Sequence, residues 1–153
     1  MRRASARTEL SLPPAEALAL WADVDRWPSF VEGFARRLEL TREWPAPGER
    51  VVWESAPDGR GRVTERVTEN APDRFSTEVF EKALTGTQTL RALQTDDGSE
   101  VELSLDYELT RYGALSGMAD ALFIRRALRD ALRRTLYRFA IEAEEEAGLG
   151  ERS

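Results

Sequence analysis

The 153-residue chain contains neither cysteine nor histidine. The first absence removes disulfides and thiolate chemistry. The second removes the commonest general base, the commonest metal ligand and every Ser-His or Cys-His nucleophile arrangement. Catalysis, if there is any, falls to carboxylates, Tyr, Lys, Arg or water. No run approaches the ~18 apolar residues of a membrane span. The basic start, Met1 to Arg7, leads into Thr8-Glu9 without the apolar stretch of a signal peptide. A cytoplasmic chain with no integral membrane segment is therefore expected. Cationic excess is missing too: the formal charge is −6, which argues against nucleic acid as the main partner. Internal repeats, low-complexity tracts and long linkers are likewise absent. The acidic run Glu144-Glu145-Glu146 occupies successive helical positions that splay around the axis, and Gly59-Arg60-Gly61 lacks the spacing and strand-to-helix context of a phosphate loop. No metal and no cofactor are expected.

What is present divides into two kinds of pattern. From about Leu115 to Glu146 apolar residues recur at a helical period. Ala121, Ile124, Leu128, Ala131, Leu132, Thr135, Phe139 and Ala143 fall in one stripe, with Arg126, Arg129, Asp130, Arg133, Arg134 and Arg138 largely opposite. Gly113 and Gly117 punctuate the start and Gly148 marks the expected end. Such a rod would run about 45 Å, enough to cross six or seven strands. The arginines read as a solvated helix face, because glutamates follow them at once.

Between Phe34 and Thr110 the pattern is strands and turns. A short strand is expected over Ala6 to Leu12, stopped by Pro13-Pro14, and a helix over Ala15 to Val24 with Pro14 at its first turn. Asp25 is a candidate N-cap for a second short helix that ends at Gly33. Strands then follow at Phe34 to Arg42, Glu49 to Ser55, Arg60 to Glu69, Arg74 to Glu81 and Leu84 to Thr95, the first four divided by Pro-, Gly- and Asn-containing turns and the last two by a short link at Lys82-Ala83. After a hairpin at Asp97-Gly98, Val101, Leu103, Leu105, Tyr107 and Leu109 alternate with Glu102, Ser104, Asp106 and Glu108. One face of that strand meets a core and the other meets water. The order strand, two short helices, six strands, long helix predicts an α+β fold in which a curved antiparallel sheet wraps the helix.

Three segments carry a resemblance. Trp21-Ala22-Asp23-Val24-Asp25-Arg26-Trp27-Pro28-Ser29-Phe30, Gly59-Arg60-Gly61-Arg62-Val63-Thr64-Glu65-Arg66-Val67, and Tyr107-Glu108-Leu109 with the closing helix resemble the START-like, helix-grip (SRPBCC) superfamily. That superfamily includes polyketide cyclases and aromatases, plant allergen-type ligand binders and lipid-transfer domains. The likeness runs from about Thr8 to Glu146 and implies one START-like domain over residues 1–153. It also implies a mostly apolar cavity between a sheet of about seven strands and the long helix, with the two short helices closing one end. The ligand it implies is a hydrophobic small molecule, lipid or polyketide-like. Aromatase/cyclase members often carry an arginine where Asn70 stands here, a departure from the cyclase pattern.

Alternation gives the candidate residues. Val63, Glu65 and Val67 share a strand face, so if the valines line the cavity Glu65 does too. A carboxyl in apolar surroundings holds its proton more tightly and can act as proton donor, or as acceptor once ionised. The competing reading is a Glu paired with a cross-strand Arg or set at a wet mouth. Gln88 shares a face with Gly86, Leu90 and Ala92, and Tyr107 with Leu105 and Leu109, so both are candidates to orient a ligand; the competing and more ordinary reading of Tyr107 is a core aromatic. Trp27 and Trp53 could line a pocket or simply pack, while Trp44, just before a Pro turn, is readable as exposed. On the helix, ligand contact is expected along Ile124, Leu128, Leu132 and Thr135. Two functions follow: a non-enzymatic carrier of a hydrophobic molecule, or a cyclase/dehydratase-type enzyme in which Glu65 moves protons. A third, docking of the arginine face on an acidic partner or membrane, fits the net charge less well, and a homodimer is left open.

Overall fold

The computed structural model describes residues 1–57, 59–110 and 121–152. Seven antiparallel strands form one sheet: β1 (Arg2–Leu10), β2 (Phe34–Leu40), β3 (Arg50–Ser55), β4 (Arg62–Ala71), β5 (Arg74–Phe80), β6 (Leu84–Thr95) and β7 (Gly98–Leu109). Their order across the sheet is β1-β7-β6-β5-β4-β3-β2. Between β1 and β2 the chain forms α1 (Pro14–Ala22), a 3-10 turn at Val24–Arg26 and the short α2 (Trp27–Phe30). The closing helix, α3, spans Ala121–Arg152. A curved antiparallel sheet gripping a long C-terminal helix is a helix-grip fold.

Most elements follow the sequence pattern, with four differences. The first strand is Arg2–Leu10 rather than Ala6 to Leu12, because nine consecutive residues find partners on β7, from Arg2 opposite Tyr107 to Leu10 opposite Ser99. The residue that caps the second short helical segment is Asp23, not Asp25. The Asp23 carboxylate accepts from the Asp25 backbone N–H at 3.2 Å. Helix α3 continues through Gly148 and Gly150 to Arg152. The expected start of that helix at Leu115, with Gly113 and Gly117, lies outside the described residues. The hairpin before β7 has Asp96 and Asp97 as its two loop residues, since Thr95 pairs directly with Gly98.

The core sits between the concave face of the sheet and α3. Leu136, Phe139 and Ala143 of the helix are buried, as are Leu90, Val101 and Leu103 of the sheet. The leucine, valine and phenylalanine side chains among them each contribute about 1.5–3 kcal/mol when removed from water. Trp21, Phe30 and Phe139 close one end, with ring centroids 5.4, 5.2 and 5.1 Å apart in stacked and edge contacts, the geometries that aromatic pairs favour. Trp44 is half-buried against the edge of this core rather than fully exposed: it donates from Nε1 to the Ala22 carbonyl at 2.8 Å and packs its ring against Trp27 and Phe75. Ion pairs then fix the short helical segments on α3. Arg26 binds Glu142 and Glu146, and Glu32 binds Arg134 and Arg138.

Candidate functional site

The alternation of β4 turns Val63, Glu65 and Val67 inward, each 4% exposed or less, as period-two geometry requires. Glu65 stands opposite Val51 on β3 and Val79 on β5, so its own row is apolar. Its polar partners come from the two diagonal positions, which long side chains can reach. Trp53 donates from Nε1 to Glu65 Oε2 at 2.8 Å, and Thr77 donates from Oγ1 to Oε1 at 3.0 Å. Neither of the bland alternatives for Glu65, a cross-strand arginine partner or a wet mouth, describes this carboxyl.

Burial pushes the Glu65 carboxyl above its ordinary range, and the Trp53 hydrogen bond, the charge of Arg60 and the Thr77 hydrogen bond only partly offset it. The nearby charge of Glu81 adds to the rise. Arg60 lies with its guanidinium carbon 5.2 Å from the centroid of the Trp53 ring and pairs with Glu81, whose side chain is 5% exposed. At that distance the cation is attracted to the ring face. The wall of the core thus holds a carboxyl that keeps its proton more tightly than an ordinary glutamate, with the Arg60 cation nearby.

A cavity of about 70 Å³ lies here between sheet and helix. Glu65, Trp53, Gln88 and Leu105 line it from the strands, Leu128, Leu132 and Thr135 from α3, and Trp27 from α2. Gln88 stands between Thr77 and Leu105 in the strand register, so its amide shares the wall with Glu65. Thr135 is less free than its position suggests, because its Oγ1 accepts from the Glu32 backbone N–H at 2.9 Å. Trp27 likewise spends its N–H on the Trp21 carbonyl at 2.7 Å. Seven of the expected residues thus converge: Trp27, Trp53, Glu65, Gln88, Leu128, Leu132 and Thr135.

Two do not line this space. Ile124 sits half-buried on α3, about one turn before Leu128 and beyond the enclosed volume. Tyr107 does face inward and is fully buried, but it stands one row past Leu105, opposite Gly86. Among the described residues its hydroxyl is the one buried side-chain polar atom without a hydrogen-bond partner. Gly86 is required in this row: a Cβ there would meet the Asp106 carbonyl oxygen at 2.3 Å, a backbone approach that only glycine permits. In the strand register Tyr107, Gly86, Val79 and Glu65 lie along one line across the sheet.

Sequence reasoning missed three polar residues at the site, Thr77, Arg60 and Glu32, besides apolar lining such as Trp21 and Leu103. Thr77 was legible, since Phe75, Thr77 and Val79 alternate inward on β5. Arg60 was not, because the strand expected from Arg60 begins only at Arg62 and leaves it ahead of β4, outside the alternation. Gly61, at φ 76°, makes the left-handed turn that leads into β4, a conformation glycine adopts without steric cost. Glu32 lines the cavity from the end of α2, where no period guides the reading. Burial alone would raise the Glu32 carboxyl, but hydrogen bonds from Arg138 and Arg134 outweigh it and hold the group below its ordinary value.

Larger concavities exist but are open surface grooves. One of about 670 Å³ runs past Leu18, Asp23, Trp44 and Asn70, and Asn70 there donates to the Pro45 carbonyl at 3.2 Å. Among the described residues no group of three or more acidic side chains is placed to hold a metal ion, and no helix is long and apolar enough to cross a membrane.

A family model described as polyketide cyclase / dehydrase and lipid transport matches residues 1–144. No curated protein matches in sequence. Among solved structures, TTHA0849 from Thermus thermophilus superposes with a TM-score of 0.79 at 17% identity, covering 95% of this chain and 99% of that one. A START superfamily protein from Mycobacterium smegmatis gives 0.76 at 12% identity, with 94% and 97% covered. The Zhui aromatase/cyclase from Streptomyces sp. R1128 gives 0.72 at 16% identity, with 95% of each chain covered. At these identities the likeness is one of fold.

Proposed function

The chain belongs to the polyketide cyclase/dehydrase and lipid transport family, and from that premise we propose that it binds a hydrophobic small molecule, lipid or polyketide-like, between the sheet and α3. The observation that carries this reading is the enclosed cavity itself. Its walls are apolar along Trp27, Trp53, Leu105, Leu128 and Leu132, with Glu65 and Gln88 as polar groups on the strands and Glu32, Arg60 and Thr135 completing the polar lining. That composition orients a guest through one or two hydrogen bonds and supplies the rest of the affinity by burial. The cavity measures about 70 Å³. That is well below the roughly 300–1,000 Å³ of a typical ligand pocket. A larger guest therefore enters by separating α3 from the strands, at the half-buried Leu128 and Ala131.

Native mass spectrometry of the purified protein, followed by solvent extraction of whatever is retained, tests this. A lipid or polyketide-like molecule held by wild type and by Glu65→Gln alike is the expected result. A protein that retains nothing, and whose melting temperature moves with no member of a fatty-acid and aromatic polyketide panel, refutes it.

A second reading rests on the buried Glu65 carboxyl, which accepts from Trp53 and Thr77 in the cavity wall and whose burial raises its proton affinity. In a cyclase/dehydratase-type step the Glu65 carboxyl gives its proton to a departing hydroxyl, which leaves as water. The resulting carboxylate then takes the proton from the neighbouring carbon, so the site is restored and the substrate has lost one water. Gln88 would hold the adjacent carbonyl. This reading requires turnover that Glu65→Gln abolishes.

A further inference from the structure

The outer face of α3 carries a pattern that the cavity does not use. Arg129, Arg133, Tyr137, Ile141, Glu145 and Leu149 recur every four residues and form one continuous ridge. All six are solvent-exposed, and the apolar ones strongly so: Tyr137 is 71%, Ile141 46% and Leu149 59% exposed. Beside the ridge an open groove of about 780 Å³ runs between the helix and the edge strand β1, lined by Thr8, Ala140, Gly148 and the carboxylates Glu144 and Glu145.

Charge along the helix is segregated. From Ile124 to Arg138 there are six arginines and one aspartate; from Phe139 to Arg152 there are five glutamates and one arginine. This order opposes the helix dipole, which favours acidic groups at the N-terminal end and basic groups at the C-terminal end. Pairing within the chain relieves part of it, through Arg26 with Glu142 and Glu146, and through Glu32 with Arg134 and Arg138. On the ridge the relief stops. The ion pair recorded for Arg133 is a 3.9 Å approach to Asp130 with both side chains well exposed, and such pairs contribute little.

We propose that this ridge is a self-complementary surface on which a second copy of the chain docks with its α3 antiparallel. A two-fold axis at the level of Phe139 exchanges Tyr137 with Ile141 and Arg133 with Glu145, because each pair is equidistant from residue 139. The same operation therefore places apolar on apolar at the centre and arginine on glutamate about 9 Å to either side. It also sets the two helix dipoles head to tail. Parallel docking would put arginine on arginine, so the charge order selects one orientation.

Sedimentation velocity over a concentration series up to about 100 µM, at low and at high salt, tests the proposal. Wild type is expected to dimerise, more weakly at high salt. Ile141→Asp is expected to be monomeric with an unchanged circular dichroism spectrum, since the position is exposed. Arg133→Glu and Glu145→Arg are each expected to weaken association by about tenfold or more, and the double variant to restore it to within about threefold. A monomeric wild type at low salt overturns the inference. So does a dimer indifferent to all of these changes, or a monomer that instead binds vesicles of phosphatidylglycerol.

Discussion

The hydroxyl of Tyr107 gives the sharpest test of how the interior is built. The residue is 0% exposed and its Oη has no hydrogen-bond partner, so folding strips water from a polar group and returns nothing. Leaving such a group unsatisfied costs about 1–3 kcal/mol. Tyr107→Phe removes the oxygen and keeps the ring that lies opposite Gly86. The void left is on the order of 10–15 Å³, which at about 24 cal/mol per Å³ costs about 0.3 kcal/mol. The variant should therefore be more stable than wild type by about 1–2 kcal/mol, where most core substitutions destabilise by about that much. For a chain of this length that corresponds to a rise in Tm of roughly 2–8 °C. Urea unfolding followed by the fluorescence of the four tryptophans reads it directly, with an unchanged slope against denaturant. A variant less stable than wild type would refute the reasoning, because it would mean that the hydroxyl is satisfied in solution. If a ligand supplies the missing partner, the same variant gains stability when empty and loses part of the ligand-induced rise in Tm.

Three further outcomes are expected. Glu65 has a folded-state proton affinity above its ordinary value of 4.5, so its contribution to stability is complete at low pH and is lost as pH rises through the raised value. Glu65→Gln cannot ionise; the stability difference measured from about pH 4 to about pH 8 should shift steadily toward the variant, and a constant difference would count against a buried titrating carboxyl. Gly86→Ala forces a methyl to within 2.3 Å of the Asp106 carbonyl oxygen. It should destabilise by about 1–3 kcal/mol in the same urea assay, and a neutral result would mean that β6 and β7 part easily there. Leu132→Ala removes a side chain that is 7% exposed and lines the cavity. A loss of about 2–4 kcal/mol is expected, with partial recovery when benzene fills the enlarged space; no recovery would place the lost volume outside the cavity.

How much of this is legible differs from residue to residue, for physical reasons. Glu65 can be assigned to the inner face because period-two alternation needs only its neighbours Val63 and Val67. Gln88 follows from Gly86, Leu90 and Ala92 in the same way. Trp44 misleads because a tryptophan before a Pro turn has no local period, and its burial is decided by Ala22, Trp27 and Phe75, which are distant in sequence. The expected β1 start falls too late since the basic Arg2 and Arg3 carry no strand pattern of their own, and β7 supplies their partners. Tyr107 and Ile124 lie on the expected elements, but position along an element relative to an enclosed space is not a periodic property.

The sequence by itself determined the element order, the inward faces of β4, β6 and β7, and the buried stripe of α3 around Leu132, Thr135, Phe139 and Ala143. These are set by side-chain spacing, and spacing is local. Only the tertiary structure decided that Trp53 and Thr77 both donate to Glu65, that Arg60 lies over Trp53, and that the Tyr107 hydroxyl is left alone. Those contacts depend on strand register and on the diagonal neighbours it creates, so they exist only once the separate strands are aligned.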